Sequence, residues 1–556
     1  MTEGFTPKLL TAWREGYGLA ELRADALAGL TVAIVALPLA MALGIASGAS
    51  PDKGLVTAVV AGFLISALGG SRLQIGGPTG AFVVVIFNVI ALHGYDGLVL
   101  ATLIAGLILL VAGLAGLGRL IRFVPHPVIT GFTAGIAVII ASSQVKDFLG
   151  LPLDSVPAEF IPQWLTYLGV ITRVSPATLA IGAGALLLIL GLKKLAPRLP
   201  GYLVAVVAAS AAVGLLDLPV DTVGSRFPDI PAGLPWPELP AITLAKVQAV
   251  MPSAFTIAFL AGIEALLSAV VADGMAGTRH RPNQELVGQG VANLASGLFG
   301  GLPATGAIAR TATNIKAGAR TPVSGMFHAA FLLLFVLFAT DLMAYVPMAA
   351  LAAILFTVAI GMSEYRRFVQ LLRMPGGDRT VLLLTFALTV MVDLTVAIAV
   401  GVTLASLLFM MRMSEAVQVE GRSEIEASPD LDDDGMRQRE GLPPGVEVFR
   451  IAGPFFFGVA GDLLDTLRNL GQRPKVVILR MRRMPFLDAS GAAALDQFVD
   501  QAKHYGIKVI FSGVQPQAME VLARTRLGRN SVRVEHAPDY LAALERARAE
   551  VARTPG

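Results

Sequence analysis

The stretch Gly300-Gly-Leu-Pro-Ala-Thr-Gly-Ala-Ile-Ala-Arg-Thr-Ala-Thr-Asn314 constrains this chain more than any other. It lies in sequence apolar enough for a bilayer, yet its glycines and Pro303 predict extended backbone, followed by a short helix that carries Arg310. Irregular backbone at membrane depth survives only where protein or a water-filled cavity satisfies its polar groups. A half-helix N-terminus beside an arginine gathers free N–H groups, the positive dipole end and a full charge, which makes an anion site. A partner stretch occupies the first half: Gly76-Gly-Pro-Thr-Gly-Ala-Phe82, running into Val83-Val-Val-Ile86. One interrupted segment in each half is the sequence pointer to an inverted-repeat transporter; the alternative is a pair of re-entrant packing loops.

Composition supports a membrane protein. The chain has 556 residues, 55% hydrophobic and only 15% charged, against about 25% charged in soluble domains. A net charge of +3 makes no case for nucleic acid. With no cysteine, disulfides, thiolate metal sites and cysteine nucleophiles are excluded. The six histidines show no metal-ligand spacing, and no cofactor is implied; His93 and His328 fall near segment ends, where a satisfied or interfacial histidine is the ordinary case. Gly106, Gly113 and Gly116 resemble a phosphate loop only superficially, and close helix contact is the better reading. Residues 1–22 are polar, without a signal-peptide pattern.

Apolar runs long enough to cross at about 20 residues each begin at 26–47 and follow at 55–68, 78–92, 98–117 and 128–145. Others cover 176–192, 203–216, 254–272, 286–299, 304–315, 323–340 and 345–362. Residues 380–411 read as two short helices meeting near Asp393, for a total of about fourteen membrane segments. Alternate loops carry the basic residues, among them Arg72, Arg119, Lys193, Lys194, Arg279, Arg281, Lys316, Arg320, Arg366 and Arg367. This bias places both termini in the cytoplasm of an inner-membrane protein. The outer loops 151–175 and 217–239 read as ordered caps.

The domain plan is a segment at 1–22, a transmembrane domain at 23–413, an acidic linker at 414–445 and a small cytoplasmic α/β domain at 446–556. In that last part, strands at 446–451, 475–480, 507–512 and 531–534 alternate with helices at 461–470, 491–504, 517–525 and 538–552.

These residues resemble a known family. Leu37-Pro-Leu-Ala-Met-Ala-Leu43, Gly76-Gly-Pro78, Asn283-Gln-Glu-Leu-Val-Gly-Gln-Gly-Val-Ala-Asn293, Phe299-Gly-Gly301, Ala309-Arg310 and Gly318-Ala-Arg-Thr321 resemble the sulfate permease (SulP) anion transporters, and the tail resembles their STAS domain. Gln144-Val-Lys-Asp-Phe-Leu-Gly150, Asp273-Gly-Met-Ala-Gly-Thr278 and Ala307-Ile-Ala-Arg310 look most similar to the bacterial C4-dicarboxylate branch. The resemblance implies an all-α polytopic fold of two inverted seven-segment repeats, a core moving against a gate, and a homodimer. It implies a substrate site formed by the backbone of Thr79, Gly80 and Ala81 facing that of Ile308, Ala309 and Arg310, lined by Leu39 and Leu43.

Glu264, in the middle of 254–272, is a carboxyl group at membrane depth, where such groups face a cavity or a partner. It is expected to be the proton-coupling group, the alternative being a structural pair with Arg310. Ser490 stands at a strand-to-helix turn and reads first as an N-cap; the resemblance adds phosphorylation as a regulatory alternative. The expected function is transport without covalent chemistry: proton-coupled uptake of a C4-dicarboxylate such as succinate or fumarate. Sulfate or bicarbonate transport is the alternative, followed by an uncoupled anion channel, a membrane-anchored regulator in which the STAS domain engages a cytoplasmic partner, and a nucleobase permease.

Overall fold

The computed structural model describes residues 5–119, 125–153, 156–157, 159–196, 199–228, 230–231, 233–374, 376–392, 394–415, 418–420, 442–456 and 474–553. The chain falls into two compact units, Met1–Ala405 and Ser406–Gly556.

The first unit is helical. Its elements are α1 (Lys8–Arg14), α2 (Leu19–Ala46), α3 (Pro51–Leu68), the two-residue strand β1 (Gly76–Gly77), a 3-10 turn (Gly80–Phe82) and α4 (Val83–Leu114). Then come α5 (His126–Leu149), α6 (Phe160–Val170), α7 (Pro176–Leu195), α8 (Gly201–Leu216), α9 (Val223–Arg226), α10 (Leu244–Ala276) and α11 (Pro282–Leu298). After strand β2 (Thr305–Gly306) follow α12 (Ile308–Lys316), α13 (Val323–Phe338), α14 (Met348–Met362), α15 (Tyr365–Leu372), α16 (Gly376–Met391) and α17 (Leu394–Glu415), whose last residues, from Ser406, fall in the second unit.

Among the described residues, eight helical stretches are long and apolar enough to cross a membrane unaided. Helix α4 is two segments in one: Gly94 turns the backbone with φ 69° and ψ −179°, a conformation open to glycine. With that kink as a boundary and α8, α11, α12, α13 and α16 added, the fourteen expected segments are present. The last expected pair is α16 and α17; Asp393 itself lies outside the described residues. Leu187, Leu195, Leu215, Phe338 and Phe409 are exposed, as a lipid-facing belt requires.

Packing divides the segments into two bundles. Helices α2, α3, α4, α10, α11, α12 and α13 pack on one another, and α5, α7, α8, α14 and α16 on one another. The inverted repeat shows in matched pairs: α4 lies on α10 and α11 as α13 lies on α2 and α3. Close approach needs glycine at the contacts. A Cβ on Gly106 would stand 2.8 Å from the Leu294 nitrogen, and one on Gly113 2.8 Å from Val287. The helix-contact reading of these two glycines therefore holds.

The second unit contains a five-stranded sheet in the order β3-β4-β5-β6-β7. Strands β4 (Val446–Ala452), β5 (Val476–Arg480), β6 (Lys508–Ser512) and β7 (Glu535–Ala537) are parallel, and β3 (Gln418–Glu420) is antiparallel to β4. Helices α18 (Ala489–His504), α19 (Pro516–Leu522) and α20 (Tyr540–Arg553) complete its described elements. The last strand sits a few residues beyond the expected 531–534. β3 lies inside the stretch expected to be linker, and the expected helix at 461–470 is outside the described residues.

Candidate functional site

The two interrupted stretches, the first and second hairpins, meet. β1 pairs antiparallel with β2, Gly76 opposite Gly306 and Gly77 opposite Thr305. Antiparallel pairing sends the chain beyond each strand in opposite directions. The 3-10 turn leading into α4 and the start of α12 therefore leave from one crossing, with their N-terminal ends turned back toward it.

Side chains fasten this crossing. Ala307 N donates to the Ile75 carbonyl at 2.8 Å, and Ile75 N donates to Thr311 Oγ1 at 3.0 Å. Thr305 Oγ1 donates to Ala261 O at 2.8 Å, and Thr311 Oγ1 lies 3.2 Å from Ser268 Oγ. The polar run 283–293 supplies the rest along α11. Asn293 Nδ2 donates to Ala304 O at 2.9 Å, while its Oδ1 accepts from Ala304 N at 2.8 Å. Glu285 Oε2 accepts from Gly70 N and Ser71 N at 2.8 and 2.9 Å, and its Oε1 from Gln289 at 2.9 Å. Backbone without a regular ladder needs such partners when buried.

The first turn of a helix leaves N–H groups without intrahelical acceptors. At α12 those belong to Ile308, Ala309 and Arg310; Ile308 and Ala309 are exposed, Ile308 by 39%. Opposite them, Thr79 is partly buried, and Gly80 and Ala81 are buried. Leu39 and Leu43 are buried in the same apolar cluster as Ala81 and Phe82.

Arg310 is 3% exposed. Its Nη2 donates to the Pro78 carbonyl of the other hairpin. Its Nη1 has no hydrogen-bond partner and stands 2.6 Å from where a Cβ on Gly77 would be. Gly77 has φ 146°, a region that other residues rarely adopt.

Glu264 lies on α10 between Ala261 and Ser268, the two residues that tie that helix to the second hairpin. Positions 261, 264 and 268 share one helix face, so Glu264 is directed toward the crossing. Thr79 is a polar neighbour of its carboxyl group, and Thr79 Oγ1 is buried without a hydrogen-bond partner. Glu264 also lines a cavity of about 30 Å³ with Phe132 and Thr133 of α5 and Ile398 of α17, room for one or two waters. Among the described residues no ion pair joins Glu264 to Arg310, so the structural-pair alternative is not realised here.

Two sequence readings need correction. Ser490 does not cap α18: Asp488 does, its Oδ1 accepting from Gly491 N at 2.6 Å, because the helix begins two residues earlier than expected. Ser490 is exposed at the second helical position. His328 is neither interfacial nor satisfied. It is wholly buried, with no hydrogen-bond partner at either ring nitrogen. Its place one turn past Ser324 on α13 becomes meaningful only once α13 is packed against α2 and α3. Among the described residues no group of His, Asp and Glu could hold a metal.

Known proteins share this architecture. The sulfate permease family profile matches residues 22–385 and the STAS domain profile residues 442–536. The chain is 42% identical to the putative sulfate transporter YvdB of Bacillus subtilis, over 92% of this chain and 95% of that protein. It is 32% identical to the bicarbonate transporter BicA of Picosynechococcus, over 91% of each. The solved transmembrane domain of a cyanobacterial BicA, 32% identical, aligns with TM-score 0.61 over 70% of this chain and 98% of that one. The murine solute carrier 26 family member A9 anion transporter in the inward-facing state, 17% identical, shares the fold at TM-score 0.85 over 98% of this chain and 94% of that one. The named relatives are sulfate and bicarbonate transporters, which favours the alternative reading over the C4-dicarboxylate branch. The chain belongs to the sulfate permease family: it is a multi-pass membrane anion transporter, not an enzyme, and it carries a C-terminal STAS domain.

Proposed function

We propose that the chain carries a small inorganic oxyanion, sulfate or bicarbonate, across the inner membrane by alternating access. The anion sits between the amides of Gly80 and Ala81 and those of Ile308, Ala309 and Arg310, with Thr79 beside it and Leu39 and Leu43 as apolar walls. The observation that carries this reading is the β1–β2 crossing, which gathers two helix N-termini next to a buried guanidinium that no carboxylate among the described residues neutralises. Dipole ends, free N–H groups and a full charge then act together on one anion. A single guanidinium balances one negative charge, which leaves one charge of a divalent anion unbalanced.

Protonation of Glu264 does not add a positive charge but removes a negative one, so that a dianion meets the guanidinium without a carboxylate to repel it. The nearness of Glu264 to Thr79 and to a water-sized cavity between the two bundles supports this proton-coupling role. The cytoplasmic placement of both termini, the domain limits at 1–22, 23–413, 414–445 and 446–556, and a homodimer belong to the same proposal. Ser490, exposed near the start of α18, is the candidate point of regulation, since a phosphate there would meet a helix N-terminus.

Purified protein in liposomes, given labelled sulfate, bicarbonate and fumarate with and without an inward proton gradient, tests the reading. Gradient-stimulated uptake of sulfate or bicarbonate over fumarate is expected. Preferred fumarate uptake would restore the dicarboxylate alternative.

A further inference from the structure

The two halves of the site are not equally open. Ile308 and Ala309 are exposed, whereas Gly80 is covered. A Cβ built on Gly80 would stand 2.6 Å from Met362 Sδ and 3.3 Å from Ile140 Cδ1. Gly80 does not have the left-handed backbone that calls for glycine, so what excludes a side chain there is the closeness of Met362. Both covering residues come from the second bundle: Ile140 from α5 and Met362 from the last position of α14. Ile140 is wholly buried, while Met362 is partly buried at the edge of the apolar cluster.

Building on the site proposed above, we infer that the Met362 thioether is a displaceable cap over the amides of Gly80 and Ala81. It fills that half of the site when no anion is bound and moves aside when one enters. Methionine suits this work because it is unbranched, has three rotatable bonds and presents a soft, polarizable sulfur. It can leave while the branched, buried Ile140 stays as the wall. An apolar cap leaves the N–H groups beneath it without a strong acceptor, an unfavourable state that a bound oxyanion relieves. The cap also denies the empty site to water and small ions, and it joins the hairpin bundle to the other bundle at the substrate itself. It thereby raises the affinity an anion needs to enter, and so contributes to specificity.

The chain has no cysteine, so Met362→Cys carries a single thiol. In proteoliposomes its labelling by a water-soluble maleimide should slow about threefold or more with saturating sulfate or bicarbonate, half-maximally near the transport KM, and should not respond to gluconate. Met362→Ala should lower KM about three- to tenfold, with the maximal rate little changed, and should raise chloride efflux from the substrate-free carrier. A packing role alone would lower the melting temperature and leave both KM and efflux unmoved, which would overturn the cap. Arg310→Ala, run alongside, separates the two readings. Lost uptake in that variant together with Met362→Cys labelling that ignores the anion removes the cap and keeps the site. Unchanged uptake in Arg310→Ala removes both.

Discussion

Arg310 and Pro78 tie the two hairpins together: the guanidinium Nη2 of one donates to the backbone carbonyl of the other. The arginine thus acts as a strut as well as a charge. Its Nη1 is left without a hydrogen-bond partner, and Arg310 takes part in no ion pair among the described residues. A buried charge without a counter-charge is expensive. The arrangement fits a site whose counter-charge arrives with the substrate.

The strut makes Gly77 testable. A methyl group there would meet Nη1 at 2.6 Å on a backbone with φ 146°. Gly77→Ala should push the guanidinium off Pro78 and reduce uptake as severely as removing the charge, although it alters no ionisable group. Near-normal uptake by Gly77→Ala, measured in proteoliposomes, would show that the guanidinium's position is not critical.

Arg310→Lys should fall well short of wild type. An ammonium is a point charge that cannot hold Pro78 O with one nitrogen while presenting another to the anion. Losing one charge-assisted hydrogen bond costs about 1.5–3 kcal/mol, or about 10- to 150-fold in affinity. Titration of sulfate or bicarbonate into purified Lys and Ala variants measures this; equal affinities in wild type and Lys would argue for charge alone.

Glu264→Gln keeps the shape and the neighbouring Thr79 but cannot bind or release a proton. Uptake should lose its response to an imposed pH gradient, while exchange at equal pH on both sides continues. Gradient-driven uptake at the wild-type rate in the Gln variant would move coupling to another group.

Asn293 makes three hydrogen bonds with its side chain, to Gln289 O, Ala304 O and Ala304 N. Asn293→Ala leaves the buried Ala304 groups unpaired, which costs about 1–3 kcal/mol for each such group. The variant should melt at a clearly lower temperature and load less anion, because the second hairpin loses its anchor. An unchanged melting temperature would mean that water replaces the amide.

What could be read from the chain alone was what depends on local pattern. Apolar runs mark the segments, and glycine with proline marks both broken ones, since these act over a few residues. The polar character of 283–293 has a physical cause: Asn283, Gln284, Glu285, Gln289 and Asn293 each bond backbone outside their own helix or a neighbour in that ladder. What escaped depends on distant partners. The Arg310–Pro78 bond spans 232 positions, and Met362 meets Gly80 only after the two bundles come together. The cap of α18 was missed because Asp488 and Ser490 are both good capping residues and only the starting residue of the helix decides between them. β3 was missed because three residues of strand inside an acidic stretch look like linker until β4 is there to pair with.

Where the anion sits decides between a transport site at the crossing and one elsewhere in the membrane unit. Selenate, an electron-rich isostere of sulfate, can be located by anomalous scattering in crystals of the protein. The expected peak lies at the β1–β2 crossing, within hydrogen-bond reach of the amides of Gly80 or Ala81 and of Ala309 or Arg310. A selenate bound at saturating concentration anywhere else, with that crossing empty, would contradict it.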